Sequence, residues 1–86
     1  MSGRGPTGPD VVTWVDDLAR RLVDRPESVE VRLIHEDETD VVELTVAPEE
    51  MGRVIGRQGR TVQAMRTLLD VAGEKHGRNY DLDILE

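Results

Sequence analysis

Val54-Ile55-Gly56-Arg57-Gln58-Gly59-Arg60 is the stretch on which the reading of this chain turns. Glycine at both ends of a four-residue loop lets the backbone take positive φ and lets another main chain approach, because no Cβ intervenes. Arg57 then stands at the loop tip. Apolar residues at helical spacing follow Gly59, so the loop delivers free N–H groups to the start of a helix, with Arg60 in its first turn. Orphan donors and the helix dipole favour an anion there, and phosphate is the natural ligand.

Charge sharpens this. The 86 residues carry 18 acidic against 11 basic side chains, a formal charge of -7. The segment from Met51 to Leu69 departs from that average: it holds four arginines (Arg53, Arg57, Arg60 and Arg66), three of the eight glycines and no acid. An acidic scaffold therefore bears one basic, glycine-rich segment. Length leaves room for one small domain, which excludes a multidomain enzyme. Without cysteine there is no disulfide, thiol nucleophile or thiolate metal site. No apolar run approaches a membrane span, and Met1 to Pro9 lacks the apolar stretch of a signal peptide, so the protein is expected in the cytoplasm.

Upstream, residues 1–9 hold three Gly and two Pro and read as a flexible tail, leaving residues 10–86 as the domain. Asp10 caps a predicted helix whose apolar stripe is Val11, Trp14, Val15, Leu18 and Leu22, ended by Arg25-Pro26. Val29, Val31 and Leu33, then Val42, Leu44 and Val46, alternate with polar residues across an acidic turn at 36–39, the pattern of a β-hairpin. Pro48, Glu49 and Glu50 suit the first turn of a short helix containing Met51, Val54 and Ile55. Beyond the loop, Val62, Met65, Leu69 and Ala72 predict a helix that stops at Gly77, and Tyr80, Leu82 and Ile84 a last strand. The second strand reaches the last through two helices. That is a crossover, so those strands should be parallel with all helices on one face. The expected fold class is α+β: a two-layer sandwich of three helices on a three-stranded mixed sheet, with Glu43, Asp81 and Asp83 on the open face.

Nucleotide motifs fail on spacing. Gly59-Arg60-Thr61 imitates the end of a triphosphate P-loop, but Val54 stands where glycine is required, Arg replaces Lys, and a helix precedes the loop; the dinucleotide fingerprint fails at the same Val54. The stretch instead resembles the KH (K homology) module, in which a Gly-x-x-Gly loop between two helices clamps about four nucleotides of RNA. The element order resembles the type II KH arrangement over about residues 10 to 86. The longer run from Val46 to Arg60, leading into Ala64-Met65-Arg66-Thr67-Leu68-Leu69, is similar to the small bacterial single-KH proteins of the KhpA type.

The resemblance implies that Gly56, Arg57, Gln58 and Gly59 hold a sugar-phosphate backbone. It implies that Val54, Ile55 and Val62 build an apolar groove against the second strand for the bases, and that Arg53, Arg57 and Arg60 supply charge. The implied role is that of an RNA chaperone or post-transcriptional regulator. With no Phe, and with Trp14 and Tyr80 at expected core positions, little aromatic surface is left for stacking, so sequence preference should be weak. The resemblance also implies a homodimer or a complex with a second KH-containing protein. A protein-interaction module that uses the fold chiefly for docking is the alternative reading. Neither catalysis nor a cofactor is expected: Ser2 and Ser28 have no histidine in a recognisable relation, His35 and His76 lack metal-ligand spacing, and the acidic turn lacks calcium-loop spacing.

Overall fold

A computed structural model describes residues 10–85. The expected tail at residues 1–9, and Glu86, lie outside the described residues. The order is α1 (Val11–Leu22), β1 (Glu30–Glu36), β2 (Thr39–Thr45), α2 (Met51–Ile55), α3 (Arg60–His76) and β3 (Asn79–Leu85), with single helical turns at Pro26–Ser28, Pro48–Glu50 and Arg57–Gly59.

Asp10 caps α1 as expected: its Oδ1 accepts from the Thr13 N–H at 3.1 Å and its Oδ2 from the Thr13 hydroxyl at 2.7 Å. The hairpin is tighter than the acidic run suggested, because only Asp37 and Glu38 form the turn. Asp37 takes φ 47°, which aspartate tolerates better than most side chains. β1 pairs antiparallel with β2, Leu33 opposite Val42, and β2 pairs parallel with β3, Val42 opposite Leu82 and Glu43 opposite Asp83. The sheet order is β1-β2-β3, so the crossover through α2 and α3 lies on one face, as the connection length required.

The core fills the space between that face and the helices. Val15, Ala19, Val42, Leu44 and Val54 are fully buried there, joined by Leu69, Met65 and Leu82. On the other face Asp81 and Asp83 are exposed and Glu43 half-buried, the open acidic side expected of a two-layer fold. Trp14 departs from expectation. It packs against the core but stays half-buried, because Val11, Val15 and Ala19 occupy the centre of the α1 stripe and Trp14 falls on its margin.

Candidate nucleic-acid interface

α2 is only five residues long and ends at Gly56, whose N–H donates to Gly52 O at 2.8 Å. Gly56 has φ 80° and ψ 169°, a conformation open essentially to glycine alone. A Cβ there would stand 2.2 Å from Thr61 Oγ1 and 2.9 Å from the Thr61 backbone N, so the loop sits directly on the first turn of α3. Gln58 (φ 57°, ψ 25°) and Gly59 (φ 73°, ψ 15°) are both left-handed, and Gly59 N–H donates to Gly56 O at 3.0 Å. Three of the four loop residues thus hold positive φ, and the chain reverses between two helices in minimal length.

This geometry corrects the expected supply of free amides. The N–H groups of Gly56, Gly59 and Arg60 are taken up by Gly52, Gly56 and Arg57 carbonyls. Among the described residues, the loop amides left without a backbone acceptor are those of Arg57 and Gln58, at its tip.

The arginines also separate. Arg57 is exposed and has no carboxylate partner among the described residues. Arg60 donates to the neutral Gln58 Oε1 at 3.1 Å, which keeps its full charge beside the tip. Arg53 is paired with Asp24 Oδ2 at 3.0 Å, so part of its field is spent within the protein. Arg66 lies further along α3 and donates to Leu82 O at 3.1 Å, which fastens α3 to β3. Among the apolar candidates, Val54 is 0% exposed and Val62 7%, while Ile55 is half-buried. Ile55 is the one of the three with side-chain surface to offer at the loop; Val54 and Val62 support it from within the core.

Glu50 has a part that local sequence reasoning missed. It is 4% exposed, and its carboxylate accepts the backbone N–H groups of Asp24 and Arg25 where the chain leaves α1. Arg25 reaches Glu49 Oε2 at 3.2 Å alongside. Together with Arg53–Asp24, these contacts lash the end of α1 to the helix that presents the glycine loop. Position alone gave no signal of it, since an acid in a helix first turn reads equally well as a solvated dipole partner.

Away from the loop, the buried Asp40 carboxylate accepts from Arg78 and lies 2.7 Å from His35 Nδ1. The Arg78 guanidinium, and after it His35, hold the Asp40 carboxyl below its usual range against the opposing effect of burial. The pair ties β2 to the α3–β3 corner.

The sequence profile of the KhpA/KhpB KH domain matches residues 13–84. The chain belongs to this KH family. Its relatives include proteins named RNA-binding protein KhpA from Caldanaerobacter subterraneus (46% identity, covering 83% of this chain and 95% of the relative) and Aquifex aeolicus (46%, covering 84% and 91%). The KhpA of Chlamydia caviae is 39% identical, over 80% of this chain and 88% of its own. The α+β architecture is that of a KH domain, and the matched region contains every described helix and strand except the first two residues of α1 and the last of β3. No helix among the described residues is long and apolar enough to cross a membrane.

Proposed function

We propose that this KH domain binds single-stranded RNA without catalysing a reaction. Gly56 to Gly59 hold the sugar-phosphate backbone, Arg57 and Arg60 supply charge with a smaller share from Arg53, and about four bases lie along the surface that Ile55 opens. The observation that carries this reading is the loop tip. A backbone preset by three positive-φ residues presents the unpaired Arg57 and two unoccupied amides in a segment without acids.

Single-site affinity is modest. Contacts to three or four phosphates give a slope of log K against log salt of roughly -2 to -3 for a single strand. The -7 charge is no obstacle, because with a Debye length of about 8 Å at physiological ionic strength the ligand responds mainly to the local basic loop. A cytoplasmic RNA chaperone or post-transcriptional regulator fits such a site, and pairing with a second copy or a second KH-containing protein adds affinity through effective concentration.

The test is RNA binding at several salt concentrations by the wild type and by Arg57→Asp/Gln58→Asp. Aspartate tolerates the left-handed region better than glutamine, so the variant keeps the fold while reversing the local charge. It is expected to lose RNA. Equal binding by both proteins, or no binding by the wild type, refutes the assignment; partner binding that persists without RNA binding would favour the docking module.

A further inference from the structure

The bond by which Arg66 fastens α3 to β3 falls on the rim of the sheet. Its Nη2 donates to the main-chain oxygen of Leu82 at 3.1 Å, while the side chain itself is exposed and pairs with no carboxylate among the described residues. β3 is an edge strand, since the sheet order is β1-β2-β3. One bond shows which of its main-chain groups face outward. Leu85 O accepts from the Val46 N–H, just past the end of β2, at 3.3 Å, so Leu85, and by alternation Asp83 and Asp81, direct their groups at β2. Leu82 and Ile84 therefore direct theirs away from the sheet, and such an edge is a row of unpaired N–H and C=O groups. Arg66 has taken the Leu82 oxygen from that row and left the Leu82 N–H without an acceptor among the described residues.

This rim leads away from the glycine loop. α3 and β3 run back alongside each other: a Cβ on Gly73 would stand 3.6 Å from Tyr80 Cδ2, and nearer the loop Arg66 reaches Leu82. Arg66 lies about 9 Å along α3 from Arg60 at 1.5 Å per residue, and Leu82 about 10 Å back from Leu85 at 3.3 Å per residue. A strand held at the loop has two flanks of α3 along which to continue. The flank toward α1 is lined by Asp10, Asp16 and Asp17 against Lys75 and His76. The flank toward β3 offers Arg66 first, and its acids, Asp70 and Glu74, stand one and two turns further on. A polyanion is favoured on the second flank as far as Arg66, where the acids close it.

An outward-facing residue of an edge strand shows a nucleobase a donor and an acceptor side by side. Adenine and cytosine match both, because the exocyclic amino group donates to the C=O and a ring nitrogen accepts from the N–H. At Leu82 this match fails. Arg66 already fills the oxygen and sets further N–H groups beside it, and a guanidinium has five donors and no acceptor. The oxygen keeps a second lone pair, but the positive guanidinium beside it repels an incoming amino N–H. Donors alone are left to face the base. Guanine through O6 and N7, and uracil through its carbonyls, can satisfy them; an amino group brought there loses its water without gaining a partner.

We infer that Arg66 is a specificity-determining residue, which selects a keto base, guanine or uracil, over an amino base, adenine or cytosine, at the position beside Leu82. The inference rests on the RNA reading of the loop and adds to it a preference at one position.

The test is fluorescence anisotropy of the full chain with four RNA hexamers: all-uracil and alternating guanine–uracil against all-adenine and alternating adenine–cytosine. The keto hexamers are expected to bind about fivefold tighter or more, the discrimination of one bidentate contact. Arg66→Met removes the donors and uncovers the Leu82 oxygen, so with unchanged circular dichroism the ratio falls to about one or below. Arg66→Gln loses the same charge but offers an acceptor oxygen, and turns the preference toward adenine. Each variant also lowers the salt slope by up to about 0.7, an effect of charge that weakens all four hexamers alike and does not move the ratio. Equal binding of keto and amino hexamers by the wild type, or a ratio that both variants leave unchanged, overturns the inference while the RNA reading stands. A wild type that binds none of the four refutes the RNA reading and this inference with it.

Discussion

Gly56 and Gly59 frame the same loop, yet alanine should act on them very differently. At Gly56 the φ of 80° with ψ of 169° lies in the glycine-only region, where a side chain costs about 1–3 kcal/mol. The added Cβ also meets Thr61 Oγ1 at 2.2 Å and the Thr61 backbone N at 2.9 Å. The hydroxyl can rotate away, but the amide belongs to the first turn of α3, so the helix must shift, which adds about 1–3 kcal/mol of overpacking. Gly56→Ala therefore costs about 4 kcal/mol. At Gly59 the conformation is ordinary left-handed helix and a Cβ meets nothing within 4 Å, so alanine costs only about 1–2 kcal/mol. For a domain of this size each kcal/mol moves Tm by about 4–8 °C. Scanning calorimetry should find Gly56→Ala melting some 15–30 °C below the wild type and Gly59→Ala about 5–15 °C below it. Thr61→Ala added to Gly56→Ala should recover only the part due to the hydroxyl. If the two glycine variants melt within 2 °C of each other, or in the reverse order, the loop is not seated on α3 as described.

Two further outcomes follow from the charged contacts. Because the folded state holds the Asp40 carboxyl below its usual range, it binds that proton less readily than the unfolded chain; the contribution of this group is complete above about pH 4 and disappears as pH falls through the lower folded value. Urea midpoints measured from about pH 5 to pH 2 should fall steeply for the wild type and less so for Asp40→Asn. Asp24→Asn should release Arg53 from its exposed ion pair, changing stability by no more than about 1 kcal/mol while tightening RNA binding and steepening its salt slope by up to about 0.7. In an Arg53→Gln background the same substitution should leave the slope unchanged; a persisting increase would mean that Asp24 acts through general repulsion.

The layers of this fold were legible because their signals are local or topological. Val62, Met65 and Leu69 recur at helical spacing, Val42 and Leu44 alternate, and two intervening helices between β2 and β3 compel a parallel crossover. The loop was legible through its glycines, although the left-handed Gln58 was not: glutamine carries no preference for that region, and only the need to reverse between Gly56 and Gly59 places it there. What the sequence withheld depends on distance along the chain. Glu50 finds Asp24 and Arg25 some 25 residues away, and Arg53 finds Asp24, through packing of α1 against α2 that no local pattern encodes. Trp14 failed for a related reason, since its place on a stripe could be read but not whether α3 reaches far enough to cover it.

The buried Glu50 carboxylate bears on how the domain opens. By holding the two amides that follow α1, it makes the end of that helix and the helix before the glycine loop parts of one cooperative unit, since neither can move off without leaving polar groups unpaired in the interior. The loop has no separate hinge on that side. Its shape is therefore set when the domain folds, with little left to order when a ligand arrives, and substitutions along α1, remote in sequence from the loop, will weaken binding in step with the loss of folding stability.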